Sequence, residues 1–332
     1  MKRAFIFPGQ GSQKIGMGKA LYDAYPEAKE VFQEVDDSLN EKLSQLIFEG
    51  NEDELKLTPN TQPALMAVSM AVIRVLTKQA NLRSCQMASF VAGHSLGEYA
   101  ALCAVKSLTL HDTAALLRKR GLAMQQAVPV GVGGMAALIG ADINAAREIA
   151  ALSAQDQVCV AANDNADGQI VISGHMEAID RAIVIAAERG FKRAVKLPVS
   201  APFHSPLMMP AAKVMEEALA DVVLKVPCIP VVPNVKAQAE SDPAVLRKML
   251  VDQVCGSVRW RETVLYLKEQ GIEQLVECGA GSVLTGLTKR IDKSVASVAL
   301  QTPEDIEAFI EAQGSVLRKE DEPADQVSCC VI

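Results

Sequence analysis

Apolar residues along this chain follow two periods, and the switches between them outline its elements. Residues 3–7, RAFIF, form a short apolar run broken by Pro8-Gly9, which predicts a buried strand and a turn. Gly11, Gly16 and Gly18 then mark a loop leading into a helix at about 19–37. TPNTQPALMAVSMAVIRVLTKQ (58–79) opens with turn residues and continues apolar on nearly all sides, the mark of a largely buried helix. MASFVAG (87–93) reads as a buried strand. LGEYAALCAV (96–105) reads as a helix of small residues, and LHDTAALLRKRGLAMQQAV (110–128) as another helix.

The pattern changes at PVGVGG (129–134). Strand 134–140, helix 142–153, strand 157–162, turn 163–168, strand 169–173, helix 176–189 and strand 191–196 follow. That βαββαβ order is the split βαβ, ferredoxin-like pattern. Strand–helix alternation then resumes: a loop at 198–204, helix 205–221, a Pro-rich strand 227–233, and helices 243–254 and 260–270. Strand 272–281 ends in a Gly turn, and SVLTGLTKRI follows as a helix. The expected fold is α/β. A large hydrolase-like domain with a central, mostly parallel sheet spans 1–128 and 199–315, and a ferredoxin-like small domain is inserted at 129–198. Residues 316–332 form a polar tail expected to be mobile.

Composition narrows the function classes. With 332 residues, 49% of them hydrophobic, the chain can bury a large core and a smaller one. A net charge of −7 argues against a general nucleic-acid or anionic-membrane surface, while leaving room for a local basic patch facing an acidic partner. The N-terminal apolar run is too short for a signal peptide, and no run approaches the roughly 20 residues of a spanning helix. The eight cysteines lack C-x-x-C spacing. They read as reduced thiols of a cytoplasmic protein rather than a disulfide frame or zinc site, so no metal or cofactor is expected. A monomer is expected.

The chemistry centres on Gly93-His94-Ser95-Leu96-Gly97, placed between a predicted strand and a predicted helix. A G-x-S-x-G turn of this kind is a nucleophile elbow: flanking side chains would collide, so glycines are needed. The N–H of Leu96 then stands at a helix N-terminus, where it can donate to a developing oxyanion. Alone, the pentapeptide fits equally a serine that only caps the helix. A nucleophilic serine needs a base, and the chain has four histidines. His94 should point away from Ser95 but can line the site. His111 stands at a helix start and His175 in a Ser-Gly-His turn, both expected to be solvated. His204, in PVSAPFHSPL at the domain junction, remains as the base. No Asp or Glu stands out as a third triad member, so a backbone carbonyl or amide is left to orient the imidazole. FPGQGSQ (7–13) lacks the phosphate-loop pattern. Its strand-end turn can instead bring the Gln10 N–H beside the elbow as a second oxyanion donor.

Taken together, GHSLGEY, PGQGSQ and APFHS resemble the malonyl-CoA:acyl carrier protein transacylases of fatty acid synthesis, in order, from residue 3 to about 310. The resemblance implies ping-pong transfer through a malonyl ester on Ser95. Malonyl-CoA is the donor, and the phosphopantetheine thiol of holo-acyl carrier protein is the acceptor. It implies Gln10 and Leu96 as oxyanion donors and His204 as base. Arg120, in RKRG, would pair with the free malonyl carboxylate, and the backbone carbonyl of Gln253 would orient the histidine. His94 matches the histidine beside the serine, and Asn163 and Asn165 match an asparagine-containing turn at the cleft. Phe203 corresponds to the malonyl-selective form, in which a ring crowds an α-methyl group. A guanidinium suits the task assigned to Arg120, because its planar fork holds a carboxylate through two parallel hydrogen bonds.

Two other functions share much of this pattern. One keeps the nucleophile but serves another carrier, as in a malonate decarboxylase or a polyketide synthase; the other is a serine hydrolase with no carrier. A cationic residue in the acyl pocket disfavours the latter's fatty chains. The last four residues, Cys329-Cys330-Val331-Ile332, nominally fit a prenylation box and are read as a chance match.

Overall fold

The computed structural model describes residues 1–191, 193–199 and 201–317. Its strands among these residues are β1 (Arg3–Phe7), β2 (Phe90–Gly93), β3 (Gly133–Ile139), β4 (Cys159–Ala166), β5 (Gln169–His175), β6 (Arg193–Lys196), β7 (Val231–Val232), β8 (Gln274–Cys278) and β9 (Ala296–Leu300). One sheet has the order β7-β2-β1-β8-β9, and every pair in it is parallel. A separate antiparallel sheet has the order β4-β5-β3-β6.

A parallel sheet buried on both faces needs apolar residues at successive positions, which RAFIF supplies. Phe5 and Phe7 face the core built around helix Thr58–Ala80. Ala4 and Ile6 face the opposite core with Trp260 and Leu267. The antiparallel sheet buries Ala136, Leu138 and Ile172 against Ile149 and Ile179 of helices Ile143–Ala154 and Met176–Glu188. β4 is tied to the segment just before helix Trp260–Glu269. The Asp164 N–H donates to the Val258 carbonyl at 2.9 Å, and the Val258 N–H to the Ala162 carbonyl at 2.8 Å. Arg261 closes the seam by donating from Nε and Nη2 to the buried Asp164 carboxylate, at 3.0 and 2.9 Å.

Several local expectations change. The helix expected at 19–37 is two helices, Lys19–Ala24 and Pro26–Leu39. Tyr25 is extended because the ring of Pro26 disfavours helical backbone in the residue before it. The segment 163–168 is not a turn: β4 runs on to Ala166, and only Asp167-Gly168 reverse the chain. Residues 84–87 are a short helix, so β2 begins at Phe90, and the Pro-rich strand shrinks to Val231–Val232. His175, expected to be solvated, ends β5 half-buried, with Nδ1 accepting the Val158 N–H at 2.9 Å. Strand β9 and the helix Pro303–Leu317 complete the described residues, so residues 316 and 317 are helical rather than tail. The rest of that tail, with Cys329-Cys330-Val331-Ile332, lies outside the described residues. No described helix is long and apolar enough to cross a membrane.

Candidate active site

Ser95 occupies the step from the end of β2 to helix Gly97–Ala104, and its φ is 53°. This left-handed conformation costs a non-glycine residue energy, so surrounding contacts must enforce it. They do so through the backbone. The Ser95 N–H donates to Asn234 Oδ1 at 2.7 Å, and the Ser95 carbonyl accepts from Gln253 Nε2 and the Glu98 N–H, each at 3.0 Å. Both flanking glycines are required. A Cβ on Gly93 would lie 1.9 Å from the Gly97 carbonyl carbon, and one on Gly97 would lie 2.3 Å from the Phe7 carbonyl oxygen.

His204 stands at the start of the segment leading to helix Met209–Ala220, also at a positive φ of 56°. Its Nδ1 faces two carbonyl oxygens, of Gln253 at 2.9 Å and Gly256 at 3.2 Å. Carbonyls accept only, so Nδ1 carries the proton and Nε2 is the acceptor. Ser95 Oγ lies 2.9 Å from that Nε2 and is set to donate to it. Burial, with the nearby Arg120 charge second, pushes His204 down to about 3. The imidazole is therefore neutral at physiological pH, the form a base requires.

Arg120, on helix Leu110–Gln126, is 1% exposed. It donates from Nη1 to Gln62 Oε1 at 2.9 Å and from Nη2 to Gln253 Oε1 at 2.8 Å. Nη2 also reaches Ser95 Oγ at 3.2 Å, and the guanidinium lies over the Tyr99 ring, 5.7 Å from its centroid. Among the described residues it forms no ion pair with any carboxylate. Glu98 acts on this buried cation only through space, without contact, and an anion entering beside Ser95 would meet the guanidinium directly.

These groups open onto one cavity of about 520 Å³, whose walls include Gln10, Ser95, Leu96, Arg120, Phe203 and His204. The backbone N–H groups of Gln10 and Leu96 donate to no protein acceptor among the described residues. Phe203 is 7% exposed. His94 Nε2 lies 2.8 Å from Asn165 Oδ1, which fixes the ring across the seam between the two sheets. Burial lowers its pKa. Asn163 and Asn165 also line the cavity, as strand rather than turn residues. No described cluster of His, Cys, Asp or Glu suits a metal ion.

Three members of the site were not anticipated from the sequence: Gln62, Glu98 and Asn234. The Glu98 carboxylate is fully buried and accepts from the Asn234 N–H at 2.9 Å and Gln253 Nε2 at 2.8 Å. Glu98 stands inside GHSLGEY, where an acid in a run of apolar residues was the available signal. Gln62 and Asn234 carried none.

Residues 4–311 match the acyl transferase domain family. The malonyl CoA-acyl carrier protein transacylase of Bacillus subtilis is 43% identical over 93% of this chain and 96% of its own length. That of Salmonella typhimurium is also 43% identical, over 92% of this chain and 98% of its own. The chain belongs to the malonyl CoA-acyl carrier protein transacylase family. The solved acyl-carrier-protein S-malonyltransferase of Bartonella henselae superposes on it with a TM-score of 0.92 and 54% identity, covering 95% of this chain and all of that one. A transacylase solved with a type II PKS acyl carrier protein is 40% identical, with a TM-score of 0.90, over 94% of this chain and all of the other. Membership of the transacylase family makes the chain an acyltransferase.

Proposed function

We propose that the protein transfers a malonyl group from malonyl-CoA to the phosphopantetheine thiol of holo-acyl carrier protein, through a malonyl ester on Ser95, in fatty acid biosynthesis. One observation carries the choice of acyl group: a buried guanidinium that contacts no described carboxylate, 3.2 Å from the serine oxygen. In a malonyl thioester, one methylene separates the free carboxylate from the reacting carbonyl. A thioester held with that carboxylate on Arg120 therefore presents its carbonyl carbon beside Ser95 Oγ.

The steps follow from the polarity of the groups. His204 Nε2 takes the Ser95 proton as Oγ attacks the thioester carbon, and Nδ1 keeps its proton on the Gln253 and Gly256 carbonyls. The tetrahedral oxyanion accepts from the free Gln10 and Leu96 N–H groups. His204 then returns the proton to the departing CoA thiolate. In the second half, His204 removes the proton of the carrier thiol, whose sulfur attacks the malonyl ester, and returns that proton to Ser95 Oγ as the ester bond breaks. His94 and Asn165 shape the wall of the acyl pocket, and Phe203 excludes an α-methyl group. In this reading the Ser95 turn is a nucleophile elbow in a hydrolase-like large domain (1–128 and 199–315). The β4-β5-β3-β6 unit is an inserted ferredoxin-like domain (129–198).

The carrier as partner is supported by the relative solved in complex with one. A monomeric, cytoplasmic enzyme needing no cofactor completes the reading. The test is to incubate the protein with malonyl-CoA, find the malonyl adduct on Ser95 by peptide mass, and then add holo-acyl carrier protein. Transfer of the adduct to the carrier thiol is expected. Release solely as free malonate would show a hydrolase instead.

A further inference from the structure

Behind the serine and histidine lies a carboxylate to which the steps above give no task. Glu98 sits in the first turn of helix Gly97–Ala104, fully enclosed. Its Oε2 accepts both the Asn234 N–H and Gln253 Nε2, while its buried Oε1 accepts from no described group. The two residues it holds are those that hold the rest. Asn234 Oδ1 takes the Ser95 N–H, and its Nδ2 donates to the Gly93 carbonyl at 2.6 Å. Gln253 takes the His204 Nδ1 proton on its backbone oxygen and Arg120 Nη2 on its side-chain oxygen. One carboxylate oxygen thus stands two hydrogen bonds from Ser95, from His204 and from Arg120.

We propose that Glu98, as its anion, is a positioning residue for acyl transfer. It locks Asn234 and Gln253 in place and offsets the Arg120 charge when His204 accepts the serine proton. This rests on the reading of Ser95 as the acylated residue. An amide in its place would offer an acceptor oxygen without the burden of a buried charge, so a carboxylate here points to a use for the charge. Proton transfer creates the imidazolium and the oxyanion together, the oxyanion being held by the Gln10 and Leu96 N–H groups, so the net charge of the site does not change. What opposes the imidazolium is the Arg120 charge, which lowers the His204 pKa and which the Glu98 anion attracts. Replacing Glu98 by glutamine removes that offset and leaves the Arg120 charge to oppose the imidazolium more strongly.

The ionisable groups around Glu98 are Tyr99 on its own helix and Arg120 on helix Leu110–Gln126; His94 and His204 complete the site. Burial pushes Glu98 up to about 7, opposed by its hydrogen bonds from Asn234 and Gln253 and by the Arg120 charge. Tyr99 is pushed up to about 12 and both histidines are lowered, so Glu98 is the site group that ionises near neutrality. Its anion forms as pH rises, so acylation should weaken as pH falls.

The test measures kcat/KM for acylation by malonyl-CoA from about pH 5.5 to 8.5, a range in which it reports free-enzyme ionisations. Wild type, Glu98→Gln and Asn234→Ala are compared, with thermal melting as a control on folding. Wild type should show an acid limb with a midpoint near the Glu98 value of about 7. Glu98→Gln should melt cooperatively, acylate about tenfold or more slowly at pH 8 with KM nearly unchanged, and lose that limb. Asn234→Ala should lose rate while keeping the limb, and it carries the positioning argument if Glu98→Gln fails to fold. Glu98→Gln acylating within about twofold of wild type at every pH, or keeping the limb, overturns the proposal. If wild type itself gains no adduct on Ser95, the reading of the serine falls first.

Discussion

Arg120→Ala separates the acyl-selecting role of this residue from a structural one. The guanidinium is 1% exposed, so a malonyl carboxylate entering the truncated site would be desolvated without a partner. Removing one member of a buried charge pair costs about 3–5 kcal/mol. At about 1.4 kcal/mol per tenfold, that is a loss of roughly 10²–10⁴ in kcat/KM for malonyl-CoA. Acetyl-CoA has no carboxylate and should lose less than about tenfold. The substitution also withdraws a donor from Gln62 Oε1 and another from Gln253 Oε1, at about 1–3 kcal/mol each, offset in part by removal of a buried charge. Its melting temperature must therefore be measured first, and kinetics taken well below it. A second effect has a definite sign. The Arg120 charge lowers the His204 pKa, so its removal raises that pKa. The same charge lowers the Glu98 pKa, so the acid limb assigned to Glu98 should also move to higher pH, as read with acetyl-CoA. Stopped-time mass spectrometry of the acyl-enzyme gives both rates. Equal losses with the two thioesters would refute the carboxylate-clamp reasoning.

Other perturbations reach other parts of the site. His204→Ala should slow Ser95 acylation by about 10²–10⁴; a loss under about tenfold would remove it as the base. The same variant bears on acid stability. Folded His204 is pushed down to about 3 from the ordinary histidine value of 6.5, so between these values the unfolded chain binds the extra proton. Stability should fall as pH drops through that window, and less steeply in His204→Ala, as denaturant melts at several pH values will read. Phe203→Ser should raise methylmalonyl-CoA use relative to malonyl-CoA, and an unchanged ratio in competition assays would end the steric role of the ring. Gly97→Ala drives a Cβ to 2.3 Å from the Phe7 carbonyl oxygen and should lower stability by about 1–3 kcal/mol or more in urea melts. Full retention of stability and acylation would show that the turn can relax.

Much of the fold was legible because its signals are local. The two-residue period of a strand and the 3.6-residue period of a helix are written within a dozen neighbours. Both the parallel alternation and the βαββαβ segment therefore appeared in nearly the right places. The errors fall where long-range pairing overrides local composition. Asn163-Asp164-Asn165 looks like a turn from its residues alone. It is strand because it pairs with Ile170 and Val171 of β5, while Arg261, 97 positions away, takes the Asp164 charge that a turn would have left to water. The last strand, β9, is short, built mostly of small residues and half-exposed at the sheet edge, and its parallel register with β8 is what defines it.

The site divides in the same way. GHSLG carries its turn signature within five residues, so the turn and its serine were readable from the sequence, although the clash that forbids a side chain at Gly97 is with Phe7, brought there by the fold. His204 emerged by elimination among four histidines, and Arg120 only by resemblance. The sequence by itself therefore determined the elements, the tight turn at Ser95 and a short list of groups able to do chemistry. Only the tertiary structure decided which of them meet. His204 reaches Ser95 across 109 positions, and Gln253 and Asn234 reach it across 158 and 139. Only the fold left Arg120 without a contacting carboxylate and buried Glu98 beneath the whole. Burial and charge pairing depend on neighbours brought together by chain closure, and no local pattern encodes the dielectric in which a side chain will sit.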